Sequence, residues 1–148
     1  MSRFVISFLM VFIVFGFAWA EELPGNATVT QVIDGDTIVV NLAATGQLVH
    51  VRIVGIDAPE MARNGKPEQP GAEAARKRLG ELVGGKSVYL TYDGFSNRED
   101  RYGRQLCYVS IDGIDVGLQL IKDGLARVMP RYAFQRFQIY NETVKKAP

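Results

Sequence analysis

A chain of 148 residues with one cysteine and one histidine has room for one ordinary domain and no internal disulfide. His50 being the only histidine, a histidine-rich zinc site and a histidine-based catalytic triad are both excluded by counting. The formal net charge of +1 advertises no polyanion partner in bulk, so any nucleic-acid site must be a local cluster of Arg and Lys.

The chain opens with Arg3, an uncharged run from Phe4 to Phe17, the small-residue site Ala18-Trp19-Ala20 and the acidic pair Glu21-Glu22. A basic start, an apolar stretch and an A-x-A site together describe a secretory signal peptide over residues 1–20, cleaved after Ala20. The alternative is a retained anchor, for which the run is slightly short of the roughly 20 apolar residues a span needs. Cleavage removes Arg3 alone among charged residues and leaves a mature domain, 21–148, with no net charge. Secretion or delivery to a periplasm, no membrane attachment and a monomeric state are the matching expectations.

Thr28 to Ile33 and Thr37 to Leu42 are rich in Val, Ile and Thr and read as strands around the acidic turn Asp34-Gly35-Asp36. A third strand is predicted from Leu48 to Ile56, ending at Asp57-Ala58-Pro59-Glu60, where Pro59 stops the ladder. Residues 61–70 are a loop by composition. Gly71 to Val83 carries Ala72, Ala75, Leu79, Leu82 and Val83 on one face and reads as an amphipathic helix stopped by Gly84-Gly85. Ser87 to Tyr92 is a fourth strand, Asp93 to Tyr102 a charged loop and Arg104 to Ile111 a fifth strand containing Cys107, read as a small buried hydrophobe. A short helix over Val116 to Lys122, with Val116, Leu120 and Ile121 inward, and a last helix from Tyr132 to Lys146 complete the plan. The class is α+β, and five short strands can close into a partly open Greek-key barrel that removes exposed edges.

Charged side chains gather at three strand ends: Asp34 and Asp36; Arg52 leading to Asp57 and Glu60; and Asp100-Arg101-Tyr102-Gly103-Arg104. Carboxylates at two turns are hard oxygen ligands suited to Ca²⁺ or Mg²⁺. Arginines can hold a phosphate bidentately, and a further carboxylate could deprotonate a water. Those parts suffice for phosphodiester hydrolysis. Spacing alone leaves a second account open, in which these are ordinary surface charges, Arg52 faces solvent on an alternating strand, and DGD is only a turn sequence.

Three segments in order, residues 32–40 (Val-Ile-Asp-Gly-Asp-Thr-Ile-Val-Val), 52–60 (Arg-Ile-Val-Gly-Ile-Asp-Ala-Pro-Glu) and 100–104 (Asp-Arg-Tyr-Gly-Arg), closely resemble the three blocks of the staphylococcal nuclease (thermonuclease) family. The resemblance runs from about Ala27 to Tyr132. It implies a five-stranded OB-fold barrel with about three helices, and Ca²⁺ held by Asp36, Asp57 and the main-chain carbonyl of Ala58. It further implies Glu60 as general base, and Arg52 and Arg104 as the two phosphate-binding arginines. Arg101 and Tyr102 match positions that hold a terminal phosphate, and Tyr132 matches a tyrosine that packs against the base. The activity implied is endonucleolytic cleavage of DNA and RNA leaving 3′-phosphate ends, with no stable protein partner. The competing reading is a non-catalytic OB module that binds single strands or a protein. This sequence departs from the family's pattern with Ala58 for a common Thr, Arg101 for a commoner Lys, Pro130 for a second tyrosine, and no tryptophan-containing C-terminal end. The last helix is accordingly expected to be short and marginal.

Overall fold

The computed structural model describes residues 25–131 and 133–146; the leader expected over residues 1–20 and Tyr132, expected to pack against a base, lie outside the described residues. In chain order the elements are β1 (Asn26–Asp34), β2 (Thr37–Leu42), β3 (Leu48–Ile53), β4 (Ile56–Asp57), α1 (Ala72–Val83), β5 (Ser87–Tyr92), β6 (Gln105–Ile111), β7 (Ile114–Asp115), α2 (Val116–Lys122), β8 (Arg127–Val128) and α3 (Phe137–Lys146). Among the described residues no helix is long and apolar enough to cross a membrane.

The sheet runs β3-β2-β1-β5-β6-β7, and a further pairing of β3 with β6 closes it into a five-stranded barrel. That closing pair is parallel, through Val51↔Gln105, Arg52↔Leu106 and Ile53↔Cys107. Register shifts between Val29 and Gln31 and between Val32 and Asp34 bend β1, which lets it pair with β2 along its length and with β5 only at Asn26, Ala27 and Thr28. The α+β barrel is thus the fold expected from strand patterning.

Strand alternation sends Val51 and Ile53 into the core with Ile38, Val40 and Val109, all buried. One end of that core is sealed by Ala72, Ala75, Leu79 and Val83 of α1, and another side by Val116, Leu120 and Ile121 of α2. These are the predicted inward faces, except that Leu82 is only partly buried. Cys107 is fully buried in β6, where burial pushes its thiol up to about 12. It is a packing residue, not a nucleophile.

Two boundaries differ from the sequence pattern. The third strand does not continue to Ile56: it stops at Ile53 and re-forms as β4, which pairs with β8 through Ile56↔Val128 and Asp57↔Arg127. Gly55, at φ 82°, makes the break, and a Cβ there would lie 2.5 Å from the buried Phe134 ring. Only glycine meets both demands. The fifth strand likewise starts at Gln105, leaving Arg104 in the preceding turn.

The last helix begins at Phe137 rather than Tyr132. Phe134 is buried, the Gln135 N–H donates to Asp93 Oδ1 (2.8 Å), and the Arg136 N–H donates to Tyr108 Oη (3.3 Å). Donors that could have entered a helix are spent on the barrel instead. α3 is short, as expected, but it is tied down. Tyr140 is fully buried and donates to Asp115, which also pairs with Arg136. The Arg136 guanidinium lies 3.9 Å over the Tyr108 ring.

Candidate active site

The turn Asp34-Gly35-Asp36 sits directly on α1 and on Ala58. A Cβ on Gly35 would fall 2.6 Å from Ala75 Cβ and 2.7 Å from Ala58 Cβ, so only glycine permits this approach. Within the turn, the Asp36 N–H donates to Asp34 Oδ1 (3.3 Å). The turn's seat brings Asp36 Oδ2 to 2.8 Å from the donating Ala58 N–H, while Asp36 Oδ1 accepts from Thr37 Oγ1 at 3.0 Å. Asp36 is 5% exposed. Burial raises its pKa to about 7, Arg52 pulls it down, and the nearby charge of Asp34 raises it further. A carboxylate so placed gains from any added positive charge.

Arg52 supplies part of that charge. Its side chain is 12% exposed, and Nη2 lies 3.0 Å from Asp36 Oδ2 and 3.4 Å from Asp57 Oδ1. Nη1 donates to the carbonyls of Ile53 (3.1 Å) and Ile56 (2.9 Å), the two residues flanking the Gly55 break. The chain reversal at Gly55 therefore builds the carbonyl cradle for the guanidinium. A solvent-facing Arg52, the second account that spacing left open, is overturned: the charge inside an apolar strand has found its partners.

Arg104 joins the same network from the turn that precedes β6. Its Nε donates to Asp100 Oδ2 (2.8 Å) and its Nη1 to Thr37 Oγ1 (3.4 Å). Asp100 also accepts from the backbone N–H groups of Tyr102 (2.9 Å) and Arg104 (3.0 Å). Burial opposes the charged form of Asp100, but these donors and the guanidinium outweigh it and hold the carboxyl below its ordinary range. Thr37 Oγ1 is the link between Asp36 and Arg104.

Arg101 and Tyr102 are exposed, with Arg101 Nη2 donating to Tyr102 Oη and the guanidinium 4.7 Å from the ring centroid. Together with Arg52, Arg104 and Arg131 they line a cleft of about 800 Å³, in which four arginines face Glu99 and Asp100. The local basic cluster demanded by a near-neutral chain is present. Glu60 stands apart. It is exposed at the start of the 61–70 loop, and among the described residues no hydrogen bond or ion pair joins its carboxylate to Asp36, Arg52 or Arg104. Its backbone is fixed on both sides by Gln69, whose Oε1 accepts from the Glu60 N–H and whose N–H donates to the Glu60 carbonyl, each at 2.9 Å.

Contacts thus join Asp36, Arg52, Asp57 and Ala58 directly and Arg104 through Thr37. Arg101 and Tyr102 share their cleft. The pattern of charges missed Thr37, Asp100 in its role as clamp for Arg104, and Arg63, whose Nη2 meets Asp34 Oδ2 at 2.7 Å. Asp100 had a signal, its four-residue spacing to Arg104. Arg63 had none, lying in a loop far along the chain.

A family model described as staphylococcal nuclease homologue matches residues 50–147. The chain belongs to the staphylococcal nuclease family. Among curated relatives, the SPbeta prophage-derived endonuclease YokF of Bacillus subtilis is 39% identical over 121 residues, covering 82% of this chain and 39% of that protein. Endonuclease YncB of the same organism is 43% identical over 103 residues, covering 70% and 47%. A thermonuclease of Staphylococcus intermedius is 35% identical over 118 residues, covering 80% and 68%. The chain spans less than half the length of the two Bacillus relatives.

The all-oxygen donor set of Asp36, Asp57 and the Ala58 carbonyl has the chemistry of a hard cation site. Two carboxylates already share one positive charge on Arg52 Nη2. Among the described residues no group of three or more His, Cys, Asp or Glu side chains forms a metal-binding cluster, so such an ion would take its remaining ligands from water or main chain. The residues fit a partly hydrated Ca²⁺ or Mg²⁺.

Proposed function

We propose that this domain is an exported, calcium-dependent endonuclease that hydrolyses phosphodiester bonds in DNA and RNA. The observation that carries the reading is the convergence of Asp36, Arg52, Asp57 and, through Thr37, Arg104 beside an arginine-lined cleft, in a chain of the staphylococcal nuclease family. Export is supported by the pattern of residues 1–20.

Asp36, Asp57 and the Ala58 carbonyl would hold Ca²⁺, which when bound supplies Lewis-acid stabilisation of negative charge on the phosphate. Arg52 and Arg104 donate to the non-bridging oxygens, an interaction that strengthens as charge builds on the five-coordinate phosphorus. Glu60 takes a proton from the attacking water. The water oxygen bonds to phosphorus, the bond to the 5′ oxygen breaks, that oxygen takes a proton from solvent and leaves as a 5′-hydroxyl, and a 3′-phosphate end remains. Asp100 holds Arg104 from behind, so that the guanidinium meets the phosphate already oriented. Arg101 and Tyr102 hold an adjacent phosphate, and Tyr132 packs on a base.

Digestion of plasmid and of RNA by the purified domain should require Ca²⁺ and cease with a chelator. Calorimetric titration with Ca²⁺ gives an independent reading of the ion site, and its heat should vanish in Asp36→Ala. Glu60→Ala should lower kcat while leaving nucleotide binding intact. Full activity in that variant removes Glu60 from the mechanism, and no cleavage by the wild type at any pH up to the alkaline range removes the activity.

A further inference from the structure

Resting on the reading of the cleft as a nucleic-acid site, we propose that Phe95 is a base-binding residue, which with Arg131 forms a subsite for an unpaired base and its phosphate beyond the scissile bond. Phe95 lies in the charged loop after β5, outside all three sequence blocks that carry the family resemblance. It is 69% exposed, the most exposed large hydrophobic side chain among the described residues. It lines the same cleft as Arg101, Tyr102, Arg104 and Arg131.

The loop beneath this ring is built, not loose. The Phe95 and Ser96 N–H groups both donate to Asp93 Oδ2, at 2.9 and 2.8 Å, and the Gly94 N–H donates to Gln135 Oε1 at 3.0 Å. Asp93 is itself buried, and its other oxygen accepts from Tyr108 Oη and the Gln135 N–H. An aromatic side chain with two rotatable bonds on a fixed backbone loses little freedom when it stacks.

The two exposed aromatics of the cleft are not equivalent. The Tyr102 ring already carries the guanidiniums of Arg101 and Arg104, at 4.7 and 5.5 Å from its centroid. No guanidinium or second ring lies over Phe95 among the described residues. Its π-face is therefore the one left for a ligand.

The occupant follows from the surroundings. Four arginines against two carboxylates select a polyanion over an apolar peptide. A free ring face selects a base that is not already stacked inside a duplex, since unstacking a paired base costs a few kcal/mol. Arg131 has no ion-pair partner among the described residues and is placed to hold the phosphate that accompanies that base.

The experiment measures KM and kcat of the whole chain on single-stranded oligodeoxynucleotides, using wild type, Phe95→Ala, Phe95→Leu and Phe95→Trp. Stacking on an aromatic typically changes affinity about 5- to 150-fold per base. Phe95→Ala and Phe95→Leu should raise KM by that factor at unchanged kcat, and Phe95→Trp should restore it. The melting temperature of all three should stay close to that of wild type, because the ring is mostly exposed. Oligonucleotides carrying one abasic position in turn locate the contact: at the stacked position the abasic substrate should weaken wild type but not Phe95→Ala. Arg131→Ala should flatten the dependence of log KM on log salt by about 0.7, one phosphate contact on a single strand, whereas Phe95→Ala leaves that slope unaltered. Cleavage by wild type with the same KM in Phe95→Ala overturns the subsite and leaves the nuclease reading standing. Absence of cleavage by wild type overturns the nuclease reading, and fluorescence-anisotropy titration of the same oligonucleotides then decides the subsite separately.

Discussion

Replacing Asp93 by Asn tests whether one buried carboxylate fastens the C-terminal segment and the loop after β5 to the barrel. Asp93 accepts four hydrogen bonds, two on each oxygen, from Tyr108 Oη, the Gln135 N–H, the Phe95 N–H and the Ser96 N–H. Asparagine keeps the volume but offers one oxygen and one NH₂, and with the NH₂ on the Oδ1 side the Tyr108 hydroxyl can turn to accept while the Gln135 N–H faces hydrogens. A hydrogen bond to a charged group contributes about 1.5–3 kcal/mol; the one to the Gln135 N–H is lost and those that survive become neutral ones. A loss of about 3 kcal/mol follows, large against a total of roughly 5–15 kcal/mol but short of unfolding most domains. Urea denaturation at neutral pH reads this as a lower midpoint at constant slope. Acid gives the second arm. Burial works against the charged form of Asp93, yet its donors hold the carboxyl below the ordinary range. A depressed folded pKa gives stability that is complete above the unfolded value, about 3.9 for Asp, and lost as pH falls through the folded one. The gap between wild type and Asp93→Asn should therefore be constant near neutrality and narrow below about pH 4. A loss under about 0.5 kcal/mol, or a gap indifferent to acid, refutes the reasoning.

Gly35→Ala places a methyl against Ala75 and Ala58 and should cost about 1–3 kcal/mol by overpacking. Because the displaced atoms carry Asp36 and Ala58, Ca²⁺ affinity by calorimetry should fall more than the melting temperature implies, and unaltered affinity would separate the turn from the ion site. Cys107, buried with its thiol pushed up to about 12, should ignore a thiol reagent at neutral and mildly alkaline pH until urea unfolds the chain, as absorbance of the released chromophore would record.

The strands and helices that bury apolar faces were legible because periodicity alone specifies them. β2, α1 and α2 fall where Val, Ile, Leu and Ala recur at strand or helix spacing. Elements decided by distant partners were not legible. Gly55 breaks the third strand because Phe134 occupies the space above it, and α3 starts late because Asp93 and Tyr108 claim the Gln135 and Arg136 N–H groups. Asp36, Asp57 and Ala58 are neighbours, as their places at strand ends suggested, whereas Arg52 was ambiguous from spacing alone and only its contacts to Asp36 and Asp57 decide its direction. Phe95 carried a signal that spacing rules pass over: a phenylalanine in an otherwise polar loop.

Barrel closure and site assembly are one event in this fold. Thr37 of β2 pairs with Arg52 of β3, and Arg52 pairs with Leu106 of β6, so one transverse row crosses the closing seam. Asp36 and Arg104 flank the ends of that row, which is why the Thr37 hydroxyl can touch both. A slip of one residue in β3 would turn Arg52 to the core side now held by Val51 and Ile53, stranding a charge among Ile38, Val40 and Val109. The ion pairs of Arg52 need add little net stability to matter, because a buried pair seldom outweighs its own desolvation. Their effect is to make the wrong register expensive, and the register they enforce is the one that sets the carboxylates beside the arginine cleft.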